Sequence, residues 1–73
     1  MVEVFKTDVK DTRHANKLSQ QIHQSFADYS AHFDLEDCDK ILCIKSTTGL
    51  VLASEVITIL QNSGFRAEVL PDD

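Results

Sequence analysis

The sequence predicts an α+β domain in the order βαββαβ, and three observations carry that prediction. Period-two alternation of apolar and polar residues marks the short segments, three- and four-residue apolar spacing marks two longer ones, and turn-type residues separate them. The first segment, Val2-Glu3-Val4-Phe5-Lys6, alternates as a strand with one buried face. A polar turn follows, in which Asp11 or Thr12 can cap a helix by accepting a hydrogen bond from a first-turn N–H. Ala15, Leu18, Ile22 and Phe26 then recur at helical spacing while Lys17, Gln20, Gln21, Gln24 and Asp28 point elsewhere, which predicts an amphipathic helix to about Tyr29.

His32-Phe33-Asp34-Leu35-Glu36 alternates again, Asp37-Cys38-Asp39 supplies a turn, and Lys40-Ile41-Leu42-Cys43-Ile44-Lys45 completes a hairpin. Ser46-Thr47-Thr48-Gly49 breaks the run. Ala53, Val56, Ile57 and Leu60 mark a second helix, and Gly64 stands where a left-handed residue would end it. Ala67 and Val69 alternate with Arg66 and Glu68 in a last strand, stopped by Pro71. Two right-handed βαβ crossovers joined by a hairpin close into one antiparallel sheet with both helices on a single face, the ferredoxin-like arrangement. The expected strand order is 4-1-3-2, which makes strands one and three central and leaves the opposite sheet face open to solvent.

Size and charge narrow the range of functions. Seventy-three residues make one domain, residues 1–73, near the lower limit at which an apolar core holds a fold without staples. At 42% apolar residues, with two glycines and one proline, the chain does not have the composition of a disordered segment. Twelve acidic residues against seven basic ones give a net charge of −5, which repels phosphate backbones and anionic membranes and favours a basic protein partner. The basic residues are scattered (Lys6, Lys10, Arg13, Lys17, Lys40, Lys45, Arg66), so no stripe reverses that sign locally. The first residues, Met1-Val2-Glu3-Val4-Phe5-Lys6, read as a strand and not as a leader, which makes the cytoplasm the expected compartment. Cys38 and Cys43 are too few for a disulfide framework and are expected there as reduced thiols.

Two stretches carry a family resemblance: Phe33-Asp34-Leu35-Glu36, and Val56-Ile57-Thr58-Ile59-Leu60-Gln61-Asn62-Ser63-Gly64-Phe65-Arg66-Ala67-Glu68-Val69-Leu70. Placed in this order of elements, they make the chain resemble the heavy-metal-associated domain of copper chaperones and metal-transporting ATPases over nearly its whole length. That resemblance implies a Met-x-Cys-x-x-Cys loop after strand one, where two soft thiolates take copper(I) or zinc. Here the loop reads Thr7-Asp8-Val9-Lys10-Asp11-Thr12-Arg13-His14. Its carboxylates and cations do not replace soft thiolates, so the expectation is a degenerate member of the type, with no metal ligand in this loop and no cofactor.

Other candidate sites differ in their chemistry. Cys38 and Cys43 could form a relocated metal pair, but their spacing is not that of a Cys-x-x-Cys and they fall on a hairpin tip and within a strand. His32, Asp34 and Glu36, followed by Asp37, Cys38 and Asp39, could hold a hard cation, although a charged row on an edge strand more often guards against strand addition. His14 and His23 lie nine residues apart and lack the i,i+4 spacing that lets two imidazoles share an ion. No Ser/His/Asp set or glycine-rich phosphate loop is present, which argues against an enzyme.

The open sheet face is the strongest candidate. If Val2, Val4, Leu42 and Ile44 face the helices, then Phe5, Ile41 and Cys43 form an exposed apolar patch. If strand three is flipped, Leu42 and Ile44 are outside instead. In either case an apolar residue faces solvent, as in association surfaces. The expected function is a non-enzymatic docking module that contacts itself, for instance as a homodimer, or a partner protein, through this face or the loop at residues 7–14. Two alternatives are metal trafficking through Cys38, Cys43 or histidine, and small-molecule sensing in a pocket between the sheets of a dimer.

Overall fold

The computed structural model describes residues 1–70, so the expected strand stop at Pro71 lies outside the described residues. Its elements are β1 (Val2–Thr7), α1 (Thr12–Ser25), β2 (Tyr29–Asp34), β3 (Ile41–Ser46), α2 (Ala53–Asn62) and β4 (Ala67–Val69). They form one four-stranded antiparallel sheet of order β2-β3-β1-β4, which read from the β4 edge is 4-1-3-2. Two helices on an open antiparallel sheet are compatible with the ferredoxin-like class. Among the described residues, no helix is long and apolar enough to cross a membrane.

The core lies between the helices and one face of the sheet. Phe5, Leu42 and Ile44 from the central strands are fully buried against Leu18 and Ile22 of α1 and Val56 and Leu60 of α2. This corrects the expected facing of β1, which placed Phe5 outside. Phe5 pairs with Leu42 and points under the helices, while Val2 and Val4 take the open face. An aromatic ring has far more apolar area to bury than a valine, so the register that shelters Phe5 wins even though it brings Glu3 and Thr7 to the same side. For β3 the facing that buries Leu42 and Ile44 is the one observed.

Both helices end where local chemistry stops them. Asp11 caps α1 by accepting from the Arg13 N–H at 2.7 Å. The helix stops at Ser25, earlier than Tyr29, because Tyr29 is needed in the core as the first residue of β2. Its ring stacks on Phe26 at 4.5 Å, and its hydroxyl accepts from the Leu52 N–H at 2.7 Å and donates to the Leu50 carbonyl at 3.2 Å. At the end of α2, Gly64 takes φ +87°, and the Gly64 and Phe65 N–H groups close on the Gln61 and Leu60 carbonyls.

The neighbouring residue, Asp28, ties the start of β2 to the loop after β3. Its carboxylate accepts from the Thr48 and Ser46 hydroxyls, and its carbonyl accepts from the Thr47 N–H. The Thr48 hydroxyl, with Asp28's own backbone N–H and the Ser46 hydroxyl, holds the Asp28 carboxyl below the usual carboxylate range, against a smaller opposing effect of desolvation.

Two outcomes follow. Phe5→Ala is expected to cost about 3–5 kcal/mol and Val4→Ala less than about 1.5 kcal/mol in urea unfolding, whereas the opposite facing of β1 reverses the ranking. Because the folded-state pKa of Asp28 is depressed, its contribution is present above the ordinary aspartate range and is lost as pH falls through the folded value. The gap in melting temperature between the wild type and Asp28→Asn therefore narrows on acidification.

Candidate functional site

The open face is assembled by the strand register. Val4 pairs with Cys43, which pairs in turn with His32, and the Leu70 N–H bonds to the Val4 carbonyl at 2.9 Å. One row across the face therefore reads His32, Cys43, Val4, Leu70. The row on one side is Asp34, Ile41, Lys6, Glu68, and the row on the other is Ser30, Lys45, Val2. Val4, Ile41, Cys43 and Leu70 are each half-buried, and Val2 is 50% exposed. The apolar centre is flanked by Lys6, Lys45, Asp34 and Glu68.

Of the three contact candidates, Ile41 and Cys43 thus share this face and Phe5 does not. The sequence reading missed Val2 and Val4, because apolar residues occupy both parities of the first strand and only the packing of Phe5 decides between them. It also missed Leu70, whose place at the face depends on β4 running antiparallel to β1.

The loop at residues 7–14 is occupied with holding the fold. The buried Thr7 hydroxyl donates to the Lys40 carbonyl at 2.6 Å and accepts from the Val9 N–H. Val9 is fully buried in the core. Asp8 accepts from the Arg66 N–H at 2.8 Å, which links the loop to the strand β4 side of the domain. With Asp11 spent on the α1 cap, both loop carboxylates have structural partners. A soft-metal site does not fit this donor set, which has two engaged carboxylates and no thiol.

The remaining candidates do not converge on one centre. Cys38 lies at the exposed hairpin tip, where its Sγ and the carboxylates of Asp37 and Asp39 fall within 4.8 Å of one another. Cys43 is not in that set, since its side chain is on the open face beside Val4. The tip carboxylates have internal roles: Asp37 accepts from the Asp39 N–H at 2.9 Å, and Asp39 pairs with Lys6 at 3.7 Å. His14 packs on Phe65 with ring centroids 5.2 Å apart, while His23 Nδ1 lies 3.2 Å from the Tyr29 carbonyl on another side of α1.

Two shallow hollows run along the seam between α1 and β2. One, of about 400 Å³, is lined by Thr12, Asn16 and Ser19 on the helix and Ala31, Phe33 and Glu36 on the strand side. The other, of about 350 Å³, continues from the shared residues Ser19 and Ala31 past Gln20 and His23. Comparison with known proteins adds no relative: no family model, no curated protein and no solved structure matches the chain.

Metal binding at the tip is expected to be weak, because one thiolate and two internally engaged carboxylates make a poor cage for zinc or copper(I). Native mass spectrometry with either ion should show no stoichiometric complex that survives a moderate chelator. A tight complex lost in Cys38→Ser would contradict this.

Proposed function

We propose that this chain is a small cytoplasmic docking module on a heavy-metal-associated-domain-like frame without the thiolate pair, and that its open sheet face receives a basic protein partner. The observation that supports this reading is the half-buried apolar cluster of Val4, Ile41, Cys43 and Leu70 on the side of the sheet away from both helices. An apolar centre with a polar rim is the usual anatomy of a contact surface. The net charge of −5 favours a cationic partner and speeds its encounter. The frame is supported by the resemblance in its second half and by the order of elements. The engaged Thr7, Asp8 and Asp11 support the view that this loop works in structure and not in metal transfer.

Photo-crosslinking from the face tests the proposal. A benzophenone attached to Cys43 in a Cys38→Ser background is expected to capture one discrete basic protein in cell extract, and Ile41→Asp should abolish the capture. The same probe on Cys38 in a Cys43→Ser background should capture nothing comparable. Equal capture from both positions, or none from Cys43, overturns the reading.

A further inference from the structure

The outer edge of β2 offers a second surface, distinct from the open face. In an antiparallel ladder the hydrogen-bonded pairs alternate, so every second residue of an edge strand turns its backbone N–H and C=O away from its neighbour. The Thr47 N–H bonds to the Asp28 carbonyl, and the register pairs Tyr29 with Ser46. Ser30, His32 and Asp34 therefore bond to β3, while Tyr29, Ala31 and Phe33 face outward. The outward groups of Tyr29 are already used: its N–H bonds to the Phe26 carbonyl at 3.0 Å, and its carbonyl meets His23 Nδ1. The N–H and C=O groups of Ala31 and Phe33 have no partner among the described residues. Four free groups thus stand in succession on one edge.

We propose that this edge pairs with the same edge of a second copy, antiparallel and about a two-fold axis at His32. In that register Ala31 lies opposite Phe33 of the other copy and Phe33 opposite its Ala31, so all four free groups on each edge are satisfied by four hydrogen bonds. A register centred between two residues is excluded, because it would place residues of opposite faces side by side. The side chains fit the same register. The large Phe33 ring meets the small Ala31 on the helix side, over the hollow between α1 and β2. On the open face, Ser30 lies opposite the carboxylate of Asp34, to which its hydroxyl can donate.

Charge also permits the approach of a second acidic chain here. The α1 wall along the seam is Thr12, Asn16, Ser19, Gln20 and His23, without a lysine, arginine or carboxylate, and Glu36, the carboxylate that lines the hollow, lies beyond the paired residues 30–34. The edge has no proline, lysine or bulge, three of the devices against strand addition. The charged side chains expected to guard it, His32 and Asp34, sit on the open face and leave the backbone accessible.

The area sets the strength of the contact. Five paired residues span roughly 17 Å, and the molecule is 18 Å thick in its shortest direction, so the footprint is on the order of 300 Å² per copy against the ~800 Å² of a stable complex. The dimer is therefore weak and concentration-dependent. It joins two sheets edge to edge and leaves both open faces free on one side, so it stands or falls independently of the partner proposed for that face.

Sedimentation equilibrium into the millimolar range tests the pairing. The wild type should show a rising average mass, and Ala31→Pro, which deletes an outward N–H at an edge position where proline is tolerated, should weaken association by on the order of tenfold or more with the circular dichroism spectrum unchanged. A second test needs no loss of binding. In a Cys38→Ser/Cys43→Ser background, His32→Cys should form an intermolecular disulfide under mild oxidation, because paired positions lie within bonding reach, whereas Ser30→Cys should not. A chain monomeric at every concentration, a dimer broken by Ile41→Asp but not by Ala31→Pro, or equal crosslinking from positions 32 and 30 would each overturn the proposal.

Discussion

The pairing of Phe5 with Leu42 beneath the helices is the constraint from which the remaining architecture follows. These residues sit on the two central strands and both are fully buried. In a chain of 73 residues the core is small, and each such side chain contributes on the order of 2–3 kcal/mol. Once Phe5 is inside, strand alternation places Val2, Val4 and Lys6 outside. The antiparallel register then places Ile41, Cys43 and Lys45 beside them. The composition of the open face is thus a consequence of core packing on the other side of the same sheet.

A second group of contacts holds the ends of the elements in place. The Tyr29 hydroxyl and the Asp28 carboxylate fasten the α1–β2 turn to the segment between β3 and α2. On the opposite side of the domain, Thr7 and Asp8 fasten the β1–α1 loop to Lys40 and Arg66. The Thr7 and Tyr29 hydroxyls answer partly buried backbone groups that would otherwise lack partners, a cost of about 1–3 kcal/mol apiece. The Ala31–Phe33 stretch of the β2 edge lies between these two fastenings and is used by neither.

Much of this was legible in the residues. A cap at Asp11 or Thr12, the glycine stop at Gly64 and the apolar spacing of Leu18, Ile22, Val56 and Leu60 identify their elements without help from tertiary structure. The outward facing of Ile41 and Cys43 was legible as one of two options for strand three. The facing of β1 was not, because Val2 and Val4 mimic an inward set while Glu3 and Thr7 disguise the true one. The end of α1 was misplaced by four residues for a similar reason. Tyr29 fits a helical pattern, yet its ring and hydroxyl gain more from the core and the Leu50–Leu52 backbone. Val9 carried no local sign of burial, since it stands alone in a polar loop. The free backbone groups at Ala31 and Phe33 were beyond sequence reasoning, because identifying them requires knowing that His23 and Phe26 already serve Tyr29.

The uncharged helical wall along the seam is separable from the fold that carries it. Thr12, Asn16 and Gln20 are exposed and lie outside the core cluster. Substitutions there leave folding nearly unchanged while altering what settles against the neighbouring strand. The margin can therefore be re-cut by substitution without disturbing the packed interior.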